Sequence, residues 1–378
     1  HLQIIKVNKN QWVNGNLTQS KYIMDDFKKF LSEQSDEKPY KLIVFNHHGE
    51  AVRDVDKEEG FTDNDKVIMK SAKEAGIKLY MVDFIGGYVS TKNGKRYLNS
   101  FPINEDGLVM PEKGKAKYQT PIELNKEDTL IMPRGLGTLG FTSSRRWSDM
   151  ISDLELDGFT MIPSIKCWDN CSSKYFTDIL CRKAGLRTPK TVALSHSEDT
   201  ERAVKELDSK FPIILKSSTG TQTGIGVTIV ESMRSLNAFV QMILLYSKYL
   251  PVIIQEYIPL EYDVRVMILD DKIIGAMKRN VITDDSDFRS NVSLGAKAEL
   301  IELTELEKKD SITAAKAVDG RLVGIDFIPA KNREKEQPYI LEVNSMPGFS
   351  GIDKIKKGLV REILEHFKDR NNWRIDND

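Results

Sequence analysis

Cysteine is scarce in this chain of 378 residues, which holds only Cys167, Cys171 and Cys181. An odd number gathered in one segment argues against a disulfide framework and leaves a zinc site without its fourth thiolate, so the three are read as reduced thiols. A metal at this cluster would need His47 or His48 to reach it from far along the chain. Long apolar runs are also missing: Phe211–Leu215 and Leu250–Ile254 are strand-sized, far below the roughly 20 residues that span a bilayer. No excess of one charge exists either. The 55 Lys and Arg nearly cancel the 56 Asp and Glu, which removes a global field for nucleic acid or membrane. The first residues lack the basic, apolar and small-residue succession of a secretory signal, and the start at His1 reads as a processed or trimmed end; the expected location is cytoplasmic.

The length suits two or three packed lobes, given about 100–200 residues per domain. The first lobe alternates a strand at Tyr40–Asn46, a helix at Asp65–Ala75 and a strand at Lys78–Phe84, which predicts a parallel α/β layer. Asn93-Gly94 between Tyr88–Ser90 and Arg96–Leu98 predicts a hairpin, so this lobe carries an insertion. A strand at Thr129–Pro133, a glycine-bearing loop, a helix at Ser144–Asp157 and a short strand at Thr160–Pro163 complete it, with a boundary near Ile165. A helix over Ser172–Ala184 is stopped by Gly185, an extended Thr188–Leu194 follows, and another helix starts at Ser197. From Phe211 the chain reads as strands joined by short loops: Ile213–Ser217, Val227–Val230, Val252–Tyr257, and a hairpin of Val264–Leu269 with Lys272–Met277. A helix over Thr304–Val318, strands Leu322–Ile328 and Tyr339–Val343, and a last helix from Ile352 to about Phe367 close an α+β half that is mainly antiparallel.

Four segments carry chemistry. In YILEVNSMPG, Glu342 and Asn344 sit two apart on a strand and project from one face. Asp326 in VGIDFIPA lies on a second apolar strand, and three such oxygen ligands, with phosphate and water completing the shell, are how Mg²⁺ is held. An isolated acid is usually the solvent-facing member of an amphipathic strand. Here the apolar neighbours on both sides disfavour that reading, because a buried carboxylate needs a counter-ion. PIILKSSTGTQTGIGVTIV places Lys216 at the end of a strand, before a loop with Gly220, Gly224 and Gly226 whose backbone amides can lie over phosphates. The lysine precedes the glycines and a strand follows them, so this is not a Walker P-loop. VIIQEYIPLEYDVR runs an apolar strand into Gln255, Glu256 and Tyr257, with backbone groups at Glu256 and Ile258 suited to an adenine edge and Asp263 and Arg265 just beyond. Lys278-Arg279 and the DFRSN of Asp287–Asn291 supply cations suited to phosphate or carboxylate, Arg289 foremost as oxyanion ligand.

In this order the motifs resemble the RimK-like branch of the ATP-grasp superfamily over about residues 166–352. The resemblance implies two α+β subdomains gripping ATP, preceded by an enlarged α/β domain: 1–165 with an insertion, 166–254 with the glycine loop, and 255–378 with the metal site. It further implies that Lys174 and Lys216 contact ATP phosphates, that Gln255–Ile258 line the adenine pocket with Lys278 nearby, and that Asp263 approaches the ribose. Asp326, Glu342 and Asn344 would hold Mg²⁺ or Mn²⁺, while Arg279, Arg289 and Asn291 would face the reacting carboxylate and γ-phosphate.

The implied activity is an ATP-dependent carboxylate–amine ligase working through an acyl phosphate, with glutamate the commonest amino acid added in this branch. The acceptor would be a protein, peptide or cofactor; a small-molecule dipeptide or glutathione-like synthetase and a non-catalytic nucleotide-binding module are the alternatives. Homo-oligomers are left open. The segment Val292–Ala296 departs from the basic, glycine-paired continuation of relatives, which turns attention to Arg134, Arg145 and Arg146 for a substrate carboxylate. His47-His48 has no assigned role.

Overall fold

In the computed structural model the described residues are 40–46, 62–83, 88–99, 103–104, 107–108, 121–135, 141–194, 196–208, 210–217, 227–246, 252–280 and 298–373. The first lobe is built on a parallel sheet of β1 (Lys41–Asn46), α1 (Asp63–Glu74) and β2 (Lys78–Asp83). An antiparallel excursion follows, of β3 (Tyr88–Lys92), β4 (Lys95–Asn99), the short pair β5 (Ile103–Asn104) and β6 (Gly107–Leu108), and β7 (Ile122–Leu124). The chain re-enters the parallel sheet with β8 (Thr129–Pro133), α2 (Phe141–Leu156) and β9 (Thr160–Met161). Among the described residues the parallel order is β2-β1-β8-β9, and β3-β4-β7 form the antiparallel excursion. Buried side chains run along β1 from Leu42 to Phe45 and along all of β8, as central parallel strands require. The expected hairpin forms at Asn93-Gly94, both with positive φ, 52° and 74°.

Next come α3 (Ile165–Ser172) and α4 (Lys174–Lys183). The helix expected over Ser172–Ala184 is α4, and α3 before it is a further helix that the sequence reading did not include. Ser173 leaves the helical conformation at φ −115°, ψ 118°, ends the first helix, and caps the second by accepting from the Phe176 amide. A second sheet contains β10 (Thr191–Leu194), β11 (Ile213–Ser217), β12 (Val227–Val230) and β13 (Val252–Glu256), in the order β10-β13-β11-β12. Against it lie α5 (Thr200–Leu207) and α6 (Met233–Tyr246). Helix α6 is absent from the sequence reading; its apolar residues fall on more than one side, which blurs the helical period.

The third sheet has the order β16-β15-β14-β17-β18, from β14 (Tyr262–Leu269), β15 (Lys272–Asn280), β16 (Ala298–Leu300), β17 (Leu322–Ile328) and β18 (Tyr339–Asn344). Helix α7 (Glu305–Ala317), fixed by a Thr304–Glu307 capping box, covers one face. The last helical run is broken into α8 (Ser350–Asp353) and α9 (Leu359–His366) by Gly358 at φ 85°. No helix among the described residues is long and apolar enough to cross a membrane.

Two hydrophobic cores sandwich this third sheet. Cys167, Cys181 and Leu186 pack with Val264, Val266, Ile325, Phe327 and Ala314, so α3 and α4 pack on the large sheet. The three thiols are unpaired, with Cys171 half-buried and the other two buried. On the opposite face, Met267, Leu269, Met277 and Leu322 share a core with Leu42, Ile68 and Met132 of the first lobe and with Phe349, Leu364 and Trp373 near the end of the described chain. Polar bonds reinforce this seam. The Asn64 side-chain oxygen accepts from the amides of Phe349 at 2.7 Å and Ser350 at 2.9 Å, Tyr40 donates to the Leu364 carbonyl at 2.9 Å, and Arg134 donates to the Pro347 carbonyl at 2.8 Å.

Asn64 thus satisfies two amides that no regular helix or strand would. Asn64→Ala is expected to lower stability by about 1–3 kcal/mol, the cost of stranding part-buried donors, whereas Asn64→Asp, which keeps an acceptor, loses less. Chemical denaturation of the two variants checks this ordering.

Candidate active site

The pairing of two strands in the large sheet decides where the expected cation ligands stand. β17 and β18 are antiparallel, with Asp326 opposite Glu342 and Gly324 opposite Asn344. Directly opposed residues share a face, and Asn344 follows Glu342 by the strand period of two. The three ligands expected from the sequence are therefore brought onto one patch of the sheet.

Every residue of β17 is buried, and Asp326 is only 6% exposed. A carboxylate there must be paired. Arg265 on β14, in register with Asp326, places Nε 2.7 Å from Oδ1 and Nη2 2.6 Å from Oδ2, a two-pronged contact. Arg279 on β15 adds Nη2 at 3.2 Å from Oδ2. Burial works against the charge of Asp326, but the two guanidiniums outweigh it and hold the carboxyl at about 2. Arg279 in turn grips Asp263, Nε to Oδ1 at 2.7 Å and Nη2 to Oδ2 at 2.5 Å, from the position directly across the β14–β15 ladder.

Asp263 is 5% exposed and both its oxygens accept from Arg279. The Arg279 guanidinium, on a residue 3% exposed, lies between Asp263 and Asp326. Arg265, given no role from sequence, takes the prominent place. Its signal was the Asp263-Val-Arg265 alternation, which puts acid and base on one face of a strand with the buried Val264 between them.

Lys174 opens α4 and sets its Nζ 3.0 Å from Glu342 Oε1. Burial foremost, and the like charge of Asp326, push the Glu342 carboxyl up, but Lys174 and Arg265 together outweigh them and the net displacement is downward. From the small sheet, Lys216 Nζ donates to Gln255 Oε1 at 2.6 Å, and Gln255 Nε2 donates to Thr191 Oγ1 at 2.8 Å. Burial first, and then the like charge of Lys174, lower the Lys216 ammonium to about 8, against the pull of Glu342 and Asp178. The small sheet and the large sheet therefore contribute to one electrostatic field. Asp178, on the same helix as Lys174 and also paired with Arg182 at 3.0 Å, was another residue missed from sequence.

Elsewhere the expected residues scatter more. The Glu256 amide donates to the Lys190 carbonyl at 2.9 Å and its carboxylate accepts from the Lys190 amide at 3.2 Å. Tyr257 and Ile258 are half-buried in the link from β13 to β14. Lys278 lies on β15 with Nζ 4.4 Å from the centre of the Tyr262 ring. Arg134, at the end of β8, is stacked 4.4 Å over Phe349 as well as bonded to Pro347, three residues beyond Asn344. Gly220, Gly224, Gly226, Arg289, Asn291, His47 and His48 lie outside the described residues, as do the side chains of Arg145 and Arg146.

Residues 172–366 match the RimK-like ATP-grasp domain. The chain is 34% identical over 249 residues to a probable alpha-L-glutamate ligase of Coxiella burnetii, covering 64% of this chain and 78% of that protein. It is 32% identical over 195 residues to a protein of the same description from Vibrio atlanticus, covering 51% and 61%. Among solved structures, the ATP-grasp ligase PsnB complexed with a minimal precursor superposes with a TM-score of 0.58 at 19% identity, over 88% of this chain and 99% of that one; PsnB is also known with minimal precursor, Mg and ADP. D-alanine–D-alanine ligase from Bacillus anthracis, complexed with ATP, gives 0.53 at 17% identity over 89% and 98%. The α+β architecture, the motif order and the matched domain together establish that the chain belongs to the RimK-like ATP-grasp family of ATP-dependent ligases.

Proposed function

We propose that this ligase adds an amino acid, glutamate foremost, to the carboxyl group of a protein, peptide or cofactor, releasing ADP and phosphate. The observation that carries the reading is the opposition of Asp326 and Glu342 beside Asn344, with Lys174 bound to Glu342 and Lys216 in the same field. The relatives described as alpha-L-glutamate ligases support the choice of glutamate. The proposed division remains three units, 1–165, 166–254 and 255–378, with α3 and α4 of the second packed on the third.

The residues fit a divalent cation. The side-chain nitrogen of Asn344 is buried without a hydrogen-bond partner; exchanging amide oxygen and nitrogen, which have nearly the same shape, would turn an acceptor into that space. Two carboxylates and an amide oxygen form the hard, all-oxygen donor set that Mg²⁺ prefers, and Mn²⁺ accepts the same ligands. When bound, the cation neutralises charge on the phosphoryl oxygens.

The protein's own groups have separate tasks. Lys174 and Lys216 screen the ATP phosphates so that an anionic carboxylate can approach. The Glu256 carbonyl and the Tyr257–Ile258 link meet the adenine, the carbonyl accepting from its amino group, and Lys278 stands on the neighbouring strand. Gly220, Gly224 and Gly226 cover the phosphates with backbone amides, and Arg289 and Asn291 face the reacting centre. Arg134 is the proposed contact for a substrate carboxylate from the first lobe. The substrate carboxylate oxygen attacks the γ-phosphorus and ADP leaves. The amine nitrogen then attacks the acyl carbon, phosphate leaves with the C–O electron pair, and the amine gives up its proton to solvent.

Two outcomes follow. ADP release is expected to require one carboxylate and one amine together, and Asp326→Asn to lower kcat by about a hundredfold or more; formation of AMP in place of ADP by the native enzyme overturns the reading. Because Lys216 loses its proton near pH 8 in the absence of phosphate, ADP affinity should be highest below that pH and fall as pH rises through it. Calorimetry in buffers of different ionisation enthalpy should then show proton uptake on binding near pH 8. In Lys216→Arg, whose charge persists, the fall should be absent over the same interval.

A further inference from the structure

The buried Asp263–Arg279 pair ends on the carboxylate proposed to hold the cation. Arg279 Nη2 lies 2.5 Å from Asp263 and 3.2 Å from Asp326, so one guanidinium is shared unequally between two acids. Arg265 already satisfies both oxygens of Asp326. Two whole positive charges on one carboxylate would cancel its attraction for a metal ion. Asp263, directly across the ladder from Arg279, removes much of the second. We infer that Asp263 and Arg279 are positioning residues that set the charge Asp326 offers to a divalent cation. This rests on the reading of Asp326 as a cation ligand.

A purely structural pair makes a different demand. For stability alone, an apolar pair of matching volume serves as well as a buried ion pair, and loss of either partner harms the fold in the same direction. A charge-setting pair instead has opposite signs at its two members. Asp263→Asn leaves the full charge of Arg279 on Asp326 and should weaken cation binding. Arg279→Met relieves Asp326 and should tighten it.

The test titrates Mn²⁺ into the full-length protein held in excess over ADP. Bound metal is read from the loss of the free-ion electron paramagnetic resonance signal, against ADP alone, with a thermal melt of each variant. Asp263→Asn should weaken Mn²⁺ binding by about tenfold, the scale of one added unit charge at protein-like dielectric. Arg279→Met should strengthen it by a similar factor, Arg279→Lys should stay near native, and the double variant Asp263→Asn, Arg279→Met should recover most of the affinity lost in Asp263→Asn. If Arg279→Met does not fold, Asp263→Asn against the charge-balanced double variant decides. Shifts in the same direction, or none, while Asp326→Asn abolishes binding, overturn the charge-setting role alone. Native-like Mn²⁺ binding by Asp326→Asn overturns the cation site and this inference with it.

Discussion

A carboxylate on a strand with no exposed residue is the constraint around which the large sheet is organised. Asp326 sits in β17 with Ile325 and Phe327 both fully buried, where an unpaired charge would cost several kcal/mol. Its compensation cannot come from water, so it comes from the neighbouring strands. Arg265 arrives from β14 and Arg279 from β15, and Arg279 then needs Asp263 because it too is sealed from solvent. A row of alternating charge therefore crosses three strands inside a hydrophobic layer. Moving β14 by one residue against β17 would turn Arg265 to the other face, which makes the network a strong determinant of strand register.

The same sheet explains why the first lobe belongs to the site. Its second face is covered by residues from the first lobe and from the last described helices in one continuous core. The turn after β18 is held by Asn64 and Arg134, so the segment carrying Glu342 and Asn344 is fastened from the side opposite the lysines. Arg134 itself is moved down to about 10 by burial, against the pull of Asp65, and remains a cation throughout the neutral range. A positive charge that is stacked on Phe349 and fixed beside Pro347 is pre-ordered, so little side-chain entropy would remain to be lost when it meets an anion.

Much of this was legible in the sequence wherever a local rule sufficed. The apolar runs around Asp326 and Glu342 predict buried strands, and burial alone marks those acids as unusual. The helix read from Thr304 starts at that residue, and Asn-Gly lies in its turn. What was not legible depends on partners distant in sequence. Asp263 reads as an acid at a strand end, and only the β14–β15 register reveals that Arg279 consumes it. Ser173 looks like a helix interior residue until its hydroxyl is seen capping Phe176. Helix α6 offers Phe239, Met242 and Leu245 outward, so it lacks the one-sided polarity by which a surface helix is recognised.

The lysines show the other side of the electrostatic argument. Lys174 has Glu342 at 3.0 Å, whereas Lys216 has the neutral Gln255 as its bonded partner and the like charge of Lys174 nearby. One lysine is therefore compensated by the protein and the other is not. A carboxylate placed next to Lys216 would stabilise the resting site, but under the proposed role of this lysine it would then repel the phosphates. Leaving Lys216 with a neutral amide keeps its charge available, at the cost of a lowered proton affinity when no anion is near. The opposite solution at Asp326, where Arg265 and Arg279 flank the carboxylate and Asp263 pairs with Arg279, keeps it ionised without leaving it alone. The two halves of the site thus solve inverse problems: one holds a cation short of its counter-ion, and the other holds an anion with a measured surplus.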